Sequence, residues 1–267
     1  MNNIIWIGDP VLVSFKGFSL HWYGVLFVTA MLACLKVMKT IYEKEGIAVD
    51  SLDTLFVFSV IGMVVGARLA HCFFYDPAIY LANPLRIFAV WEGGLASHGG
   101  GIGGFVGVFF YHKITKLNFL WIMDRGSIGL LLLCFFIRMG NFFNSEILGN
   151  PSDLPWAIVF NRIDTISRHP VQLYEAFSYL ALFFGFVLIY KFTDIIKKEG
   201  ALFGLALSFG LTIRFLLEFF KVRQASYNSD ILLSTGQLLS IPFMLAGIII
   251  TIIALKRTSL RKQYEAK

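Results

Sequence analysis

The chain has 267 residues, of which 57% are hydrophobic and 15% are charged. This composition excludes a water-soluble globular protein and indicates a protein embedded in a membrane. The net charge of +6 does not indicate nucleic-acid binding, because the basic residues cluster in short loops between apolar runs, where they set the orientation of a membrane protein. No nucleic-acid partner is therefore expected.

Residues 1–19 are interpreted as an interfacial leader without a cleavable signal. Seven apolar segments follow, and several of them can supply the twenty or so residues that cross a bilayer. They begin near residues 20, 52, 95, 119, 178, 201 and 231, and they end near residues 36–44, 74, 111, 138, 191, 220 and 255. The sequence LRIFAVWE at 85–92 is predicted to be a short interfacial helix.

The predicted fold is an all-α polytopic integral membrane protein with about seven transmembrane helices and a small periplasmic head. It is treated as a single domain over 1–267, with the polar insert 141–168 as part of the extracytoplasmic head. The three cysteines Cys34, Cys72 and Cys134 lie inside apolar segments without a CxxC pair. They are predicted to be small core residues, so that neither a metal nor a cofactor is expected.

The distribution of basic residues predicts the orientation of the helices. Alternating sides places thirteen Lys and Arg residues on one face and six on the other. The richer face should be cytoplasmic, which puts the N-terminus and the insert outside and the C-terminus inside. The six basic residues of the outer face are Lys16, Arg86, Arg162, Arg168, Lys221 and Arg223.

Glycines are concentrated in the segment SHGGGIGGFVG at 97–107. Gly99, Gly101 and Gly104 have the spacing GxGxxG, but no βαβ pattern surrounds them, so a dinucleotide site is rejected. Gly99, Gly103 and Gly107 recur four residues apart, which favours close helix packing in a membrane. The same glycines could instead admit a lipid headgroup or another backbone segment.

The stretch IRMGNFFNSEILGN at 137–150 places polar residues directly after a long apolar run. Arg138 is costly at that depth unless it is paired. Its planar guanidinium suits phosphate, and Asn141, Asn144 and Glu146 could hold it or bind neighbouring hydroxyls. The alternative is an arginine at a helix end that extends toward lipid headgroups for no catalytic reason.

With the predicted orientation, most polar residues at helix ends fall on the outer side, which predicts a cationic cavity suited to a phosphate headgroup. Several have structural alternatives. Tyr23 could be an aromatic-belt anchor, Glu175 could satisfy a neighbouring arginine, and Asp124 with Arg125 could cap the inner end of the fourth span. Arg68 and His71 could pair with the region of Asp76 and Glu92. The outer set comprises Tyr23, Arg68, His71, His98, Arg138, His169, Glu175, Arg214 and Glu218.

Six sequences together resemble the bacterial prolipoprotein diacylglyceryl transferases, and the resemblance covers nearly the whole chain. They are HWYG at 21–24, SHGGGIGG at 97–104, RMGNFFNSEILG at 138–149, HPVQLYE at 169–175, RFLLEFF at 214–220 and STGQLLSIP at 234–242. The block RxGNFxNxExxG is the specific signature.

The resemblance implies an inner-membrane enzyme that transfers the diacylglyceryl group of phosphatidylglycerol to the lipobox cysteine of a preprolipoprotein, releasing glycerol 1-phosphate. Its partners would be phosphatidylglycerol, lipobox-containing preprolipoproteins and membrane lipid. It also implies substrate binding by Arg138, Asn141, Asn144, Glu146 and Gly149, and catalytic roles for Tyr23, His98, Arg214 and Glu218. Two positions depart from the family: Lys221 stands where a second arginine is common, and Val171 stands where serine is usual.

The reaction explains why these residue types are needed. A sulfur atom attacks the glycerol carbon that carries the phosphate ester, and charge concentrates on the departing phosphate. Arg138 and Arg214 can stabilise that charge in the transition state. The thiol must lose a proton, since thiolate is the nucleophile. His98 could accept it directly or through Tyr23, with Glu218 positioning Arg214, or His98 could be a packing residue.

Two other classes of membrane protein are alternatives. A transporter would bury arginines too, but it predicts inverted repeats and a site near mid-bilayer, and the sequence has neither a repeat nor a matching pair of broken helices. A lipid phosphotransferase would need a carboxylate cluster for magnesium, and the carboxylates here are few and scattered.

Overall fold

The computed structural model describes residues 4–222 and 233–265, and this part of the chain is mostly helical. Short 3-10 turns lie at Pro84–Phe88, Val90–Glu92, Asp194–Lys197 and Glu218–Phe220. The eight α-helices of the described residues are α1 Trp22–Glu45, α2 Ser51–Phe74, α3 Pro77–Ala82, α4 Ser97–Thr115, α5 Phe119–Phe143, α6 Val171–Phe192, α7 Ala201–Leu217 and α8 Thr235–Glu265.

Six helices within the described residues are long and apolar enough to cross a membrane. The six stretches are Trp22–Glu45, Ser51–Phe74, Phe119–Phe143, Val171–Phe192, Ala201–Phe220 and Gly236–Arg257. The predicted class, a multi-pass helical membrane protein, is confirmed. The predicted third span corresponds to α4, which has 19 residues and is not among the six. Its glycines add little apolar side-chain surface. Helix α4 therefore resembles a membrane span in its length but not in its hydrophobicity.

Several predicted boundaries differ from the structure. Helix α6 begins at Val171 and not near residue 178, so Glu175 lies within it. Helix α5 continues to Phe143, so Asn141 lies in its last turn rather than in the polar insert. The insert itself begins after this helix and contains two of the strands described below. The predicted start of the last span near Ile231, and the basic residues Arg223 and Lys267, lie outside the described residues.

Five short strands accompany the helices, which the all-α prediction did not include. They are β1 Ile4–Trp6, β2 Val11–Phe15, β3 Phe18–His21, β4 Ile158–Phe160 and β5 Ser167–Arg168. β1 runs parallel to β4 with Ile4 opposite Ile158, and β5 runs antiparallel to β4. β2 and β3 form a hairpin that leads into α1. Strands of two to five residues show too little alternation to be recognised in an apolar sequence.

The chain forms two compact units, one of Met1–Val37 with Asp124–Lys267 and one of Met38–Met123. The core of the first unit joins the end of α5 to the small sheet. Phe142, Ile158 and Phe160 are buried there, and the Trp6 and Phe142 rings lie 4.5 Å apart. The strand from the N-terminal region therefore packs directly on the helix end that carries the signature residues.

In the second unit, α2 and α4 pack through glycines. A Cβ atom at Gly103 would collide with the carbonyl oxygen of Gly62, and one at Gly66 would collide with the carbonyl oxygen of Gly99. A Cβ atom at Gly101 would meet nothing within 4 Å. The predicted close packing is confirmed, because only residues without a side chain allow the backbones to approach this closely.

The segment between α2 and α4 is held by Arg68, which is 2% exposed. Its guanidinium donates to the carbonyl oxygens of Ile87, at 3.0 Å, and Gly93. The ring of His71 lies 3.2 Å from the Asp76 carboxylate. The structural interpretation of Arg68 and His71 is thus confirmed within this unit, since both fasten the segment that follows α2.

Candidate functional site

The end of α5 carries the first part of the site. Arg138 and Asn141 lie three residues apart, which places them on the same face of a helix. The Arg138 Nη1 atom donates to the Asn141 Oδ1 atom at 3.1 Å. Asn141 is 5% exposed, so its carboxamide is fixed between the guanidinium and the loop that follows the helix.

That loop is organised around the Glu146 carboxylate. Asn141 Nδ2 donates to Glu146 Oε2 at 3.2 Å, and Asn144 Nδ2 donates to Glu146 Oε1 at 3.0 Å. Ser145 and Ile147 on either side have φ values of 56° and 55°, a conformation that costs energy for residues with a side chain. Gln172 donates to the Glu146 carbonyl oxygen at 2.6 Å. The loop is therefore held in a strained conformation that presents both asparagines to one carboxylate.

Glu175 connects α5 to the segment that follows α7. It is fully buried, and its Oε2 atom lies 3.0 Å from Arg138 Nε. Its Oε1 atom accepts from the Lys221 ammonium at 2.8 Å, and the same ammonium lies 3.2 Å from the Glu218 Oε2 atom. These four residues, Arg138, Glu175, Lys221 and Glu218, form what we call the ion network.

The ion network explains how several charges are tolerated in a site with little water. Lys221 is 8% exposed, and a single buried charge would be costly without a partner. Each member contacts at least one group of opposite sign, and Glu218 also accepts from the Ser234 hydroxyl at 3.0 Å. The predicted pairing of Glu175 with an arginine is confirmed.

Arg214 lies in the last turn of α7, one helical turn before Glu218. Glu218 shares the Lys221 ammonium with Glu175, so Arg214 lies within one helical turn of the ion network. The predicted pairing of Glu218 with Arg214 remains a prediction, since the Glu218 contacts described above go to Lys221 and Ser234.

Tyr23 belongs to the same cluster. Its ring lies against Gly140, where an added Cβ atom would come within 2.7 Å of it. Gly140 lies between Arg138 and Asn141 in the signature block. The first turn of α1 therefore brings a phenol to the signature residues, and the catalytic role of Tyr23 stays a prediction.

Gly149 has a backbone role. A Cβ atom there would collide with the carbonyl oxygen of His169, and the residue pairs with Lys221 in an isolated antiparallel bridge. Asn150 N donates to the Phe220 carbonyl oxygen at 2.7 Å. Glycine is required because the loop after α5 passes between two other backbone segments.

Arg168 supports this loop from outside the spans. It donates to the Gly149 carbonyl oxygen at 3.3 Å and to the Asp164 carboxylate. The Arg168 guanidinium beside Asp164 holds the pKa of that carboxyl below its usual range. The pair thus links the polar insert to the signature loop.

His98 is in the second unit, where the structure describes its backbone in the first turn of α4. Its side chain lies outside the described residues. The structure thus brings together Tyr23, Arg138, Asn141, Asn144, Glu146, Gly149, Arg214 and Glu218 within the first unit. Lys221 was noted in the sequence as a basic residue of the outer face and as a departure from a family pattern, and its buried position could not be inferred because Glu175 lies 46 positions away.

The fold and this site define a multi-pass membrane protein in which buried cations, carboxylates and carboxamides meet at one end of three helices. Comparison with known proteins is consistent with that class. The family model of prolipoprotein diacylglyceryl transferase matches residues 10–253. The chain belongs to the prolipoprotein diacylglyceryl transferase family.

Several relatives are similar over nearly their whole length, and each is a phosphatidylglycerol–prolipoprotein diacylglyceryl transferase. The protein of Tolumonas auensis is 47% identical over 95% of this chain and 98% of its own. The protein of Chloroherpeton thalassium is 43% identical over 97% of both chains, and that of Porphyromonas gingivalis is 38% identical over 97% of both. The resemblance predicted from the sequence is confirmed.

Proposed function

We propose that the protein transfers the diacylglyceryl group of phosphatidylglycerol to the thiol of the lipobox cysteine in a preprolipoprotein, with release of glycerol 1-phosphate. The observation that carries this proposal is Arg138, held by Glu175 at 3.0 Å and by Asn141 at 3.1 Å, with Arg214 in the last turn of α7, four residues before Glu218 of the ion network. A guanidinium held in this way suits a phosphodiester, and Arg214 supplies a second cation nearby. The family membership supplies the identity of the acceptor.

The arginines act on the leaving group. The thiolate sulfur bonds to the terminal glycerol carbon of the diacylglyceryl group, and the bond from that carbon to the phosphate oxygen breaks. The electron pair of that bond goes to the phosphate, which departs as glycerol phosphate. Arg138 and Arg214 stabilise this charge more in the transition state than in the bound lipid, which is the condition for catalysis.

The remaining residues orient these groups. Glu175 and Asn141 restrict the Arg138 side chain, and Lys221 balances the charge of Glu175 and Glu218, so that neither carboxylate is left unpaired. Asn141, Asn144 and Glu146 form the neighbouring polar surface, which is positioned to receive the hydroxyls of the lipid headgroup. Such restriction lowers the entropy that the enzyme loses on reaching the transition state.

The thiol proton passes to His98, directly or through Tyr23, while Glu218 positions Arg214. The proposal for Tyr23 is supported by the position of its ring against Gly140 in the signature block. The test for His98 is the pH profile of transfer by a His98→Gln variant in detergent. Turnover close to the parental rate with an unchanged profile would remove His98 as the base.

The chain crosses the membrane seven times, through the six long apolar helices and through α4. A helix of 19 residues is roughly 28 Å long, close to the thickness of the hydrocarbon core. The N-terminus and the head formed around 141–168 face the periplasm, and the C-terminus faces the cytoplasm of a bacterial inner membrane. The face opposite the head carries the excess of Lys and Arg, and such an excess is typical of the cytoplasmic side.

The experiment that tests the function uses the purified full chain. A synthetic lipobox peptide is incubated with the protein and phosphatidylglycerol vesicles, and the product is analysed by mass spectrometry. We expect a mass increase of one diacylglyceryl group on the cysteine and equimolar glycerol phosphate. A peptide in which serine replaces the lipobox cysteine is the control, and an unmodified cysteine peptide would refute the proposal.

A further inference from the structure

Asp124 occupies a position that the reaction described above does not use. It lies in the second turn of α5 and is fully buried. Its Oδ2 atom accepts from the Gly200 backbone N–H at 2.7 Å, and its Oδ1 atom accepts from the Phe203 N–H at 2.8 Å. The sequence predicted that Asp124 caps its own helix, whereas it caps the N-terminus of α7.

This contact replaces the cap that α7 lacks. The N-cap residue of α7 is Gly200, which has no side chain to accept from the first N–H groups. Gly200 has a φ of 92°, which turns its own N–H toward the carboxylate and which residues with side chains rarely adopt. A carboxylate at a helix N-terminus is stabilised by the unpaired N–H groups and by the helix dipole.

The two hydrogen bonds of Asp124 with Gly200 and Phe203, which we call the tie, fix the axial position of α7 against α5. Arg138 follows Asp124 by fourteen positions, and Arg214 follows Gly200 by the same number. At a rise of 1.5 Å per residue, each arginine lies about 21 Å from the tie. Both helices lead away from the tie toward the ion network, so the equal distances bring the two guanidinium groups to the same depth.

No other axial position satisfies the carboxylate equally well. Sliding α7 by one turn moves it about 5.4 Å and removes both N–H donors from a carboxylate that has no access to water. The Arg125 Nη1 atom lies 3.8 Å from the Asp124 Oδ2 atom, too far for a hydrogen bond to replace them. The tie therefore selects one register of the two helices.

We propose that Asp124 is a positioning residue for the transfer reaction, which sets the relative depth of Arg138 and Arg214 from the opposite end of their helices. The inference rests on the proposed function, because the arginines matter only if they bind the phosphate together. It predicts that loss of the tie weakens the binding of phosphatidylglycerol without removing any group that touches it.

The test compares three variants in detergent with phosphatidylglycerol and a lipobox peptide. Asp124→Ala removes both acceptors, and Asp124→Asn keeps the shape but loses one of them, so it remains informative if the alanine variant fails to fold. Ile128→Ala is the matched control, because Ile128 is buried one turn further along α5 and takes no part in the two hydrogen bonds of Asp124 with Gly200 and Phe203. Spin labels on the exposed residues Leu130 and Phe209 report the register of α5 and α7.

For Asp124→Ala we expect the KM for phosphatidylglycerol to rise at least tenfold and the distance between the labels to shift by several ångströms. Asp124→Asn should show a smaller change of both in the same direction. Ile128→Ala should lower the melting temperature while both readouts stay at the parental values. If the Asp124 variants lose only maximal rate, in proportion to unfolding, with the parental KM and label distance, the positioning role is wrong. If the parental protein transfers no lipid, the proposed function fails, whereas the label distances still decide whether the tie sets the register.

Discussion

Two regions of the molecule hold their helices together by different contacts. The α2–α4 interface removes side chains altogether, and Gly62, Gly66, Gly99 and Gly103 bring backbones into direct contact. The ends of α5, α6 and α7 instead bring charged side chains together, with Glu175 between Arg138 and Lys221. The first arrangement depends on shape and the second on charge balance.

The difference shows where a membrane protein can tolerate change. At the glycine interface any added atom collides with backbone, but no electrostatic interaction is at stake. In the ion network a side chain can change size if its charge remains, while loss of one charge leaves its partner buried and unpaired. The two regions should therefore respond to different kinds of substitution.

The largest effect is expected for Lys221→Met. The ammonium contacts Glu175 at 2.8 Å and Glu218 at 3.2 Å, so its loss leaves buried carboxylates short of a partner. We expect the free energy of unfolding to fall by about 3–5 kcal/mol, measured by thermal unfolding in detergent. Lys221→Arg keeps the charge and restores the residue common in the family, so it should retain stability and activity. A methionine variant as stable as the parent would show that the network does not balance charge.

The second-largest effect is expected for the rate of transfer by an Arg138→Lys variant. Arg138→Lys keeps a positive charge but loses the planar fork that contacts Asn141 and Glu175 and that suits phosphate. We expect the rate of diacylglyceryl transfer to fall by about 10²–10³-fold, with the product measured by mass spectrometry. Arg162→Lys, at an exposed position of the same unit, is the control and should be neutral. Transfer by Arg138→Lys at the parental rate would exclude bidentate phosphate binding.

At the glycine interface, Gly103→Ala should destabilise the protein by about 1–3 kcal/mol, because its new methyl group collides with the Gly62 backbone. Gly101→Ala is the matched control, since a Cβ atom there meets nothing within 4 Å. Melting temperatures in detergent provide the measurement. Equal melting temperatures for the two variants would show that the α2–α4 contact is not tight.

The smallest effect is expected for Asp164→Asn, outside both regions. The folded-state pKa of Asp164 is lowered by Arg168, so the stabilisation is present above the unfolded pKa of about 3.9 and is lost as the pH falls through the folded value. At neutral pH the variant should lose less than about 1 kcal/mol. The difference between variant and parent should vanish in acid, and a difference that persists there would point to packing instead of charge.

The spans and the glycine interface could be predicted because their signals are local. Twenty apolar residues or glycines four apart are visible within one segment, and the signature block places Arg138, Asn141 and Glu146 within nine positions of one another. Helix periodicity then brings the first two together. These features depend on neighbours in the sequence.

The features that were missed depend on distant residues. Lys221 meets Glu175 across 46 positions, and Asp124 meets Gly200 across 76, so no short pattern connects them. The strand Ile4–Trp6 becomes a strand only because Ile158–Phe160 lies beside it. The extension of α5 to Phe143 was missed for a related reason, since Arg138 and Asn141 interrupt the apolar run and the last turn is stabilised by the packing of Phe142 against the sheet.

The contact of Asp124 with the start of α7 has a consequence for lipids of different acyl-chain length. Thicker and thinner bilayers tilt helices or shift them along the membrane normal. Because Asp124 is hydrogen-bonded to the start of α7, a shift of α5 along the membrane normal carries α7 with it, so that Arg138 and Arg214 move in the same direction. Under the function proposed above, both arginines then follow the lipid headgroups to a new depth together.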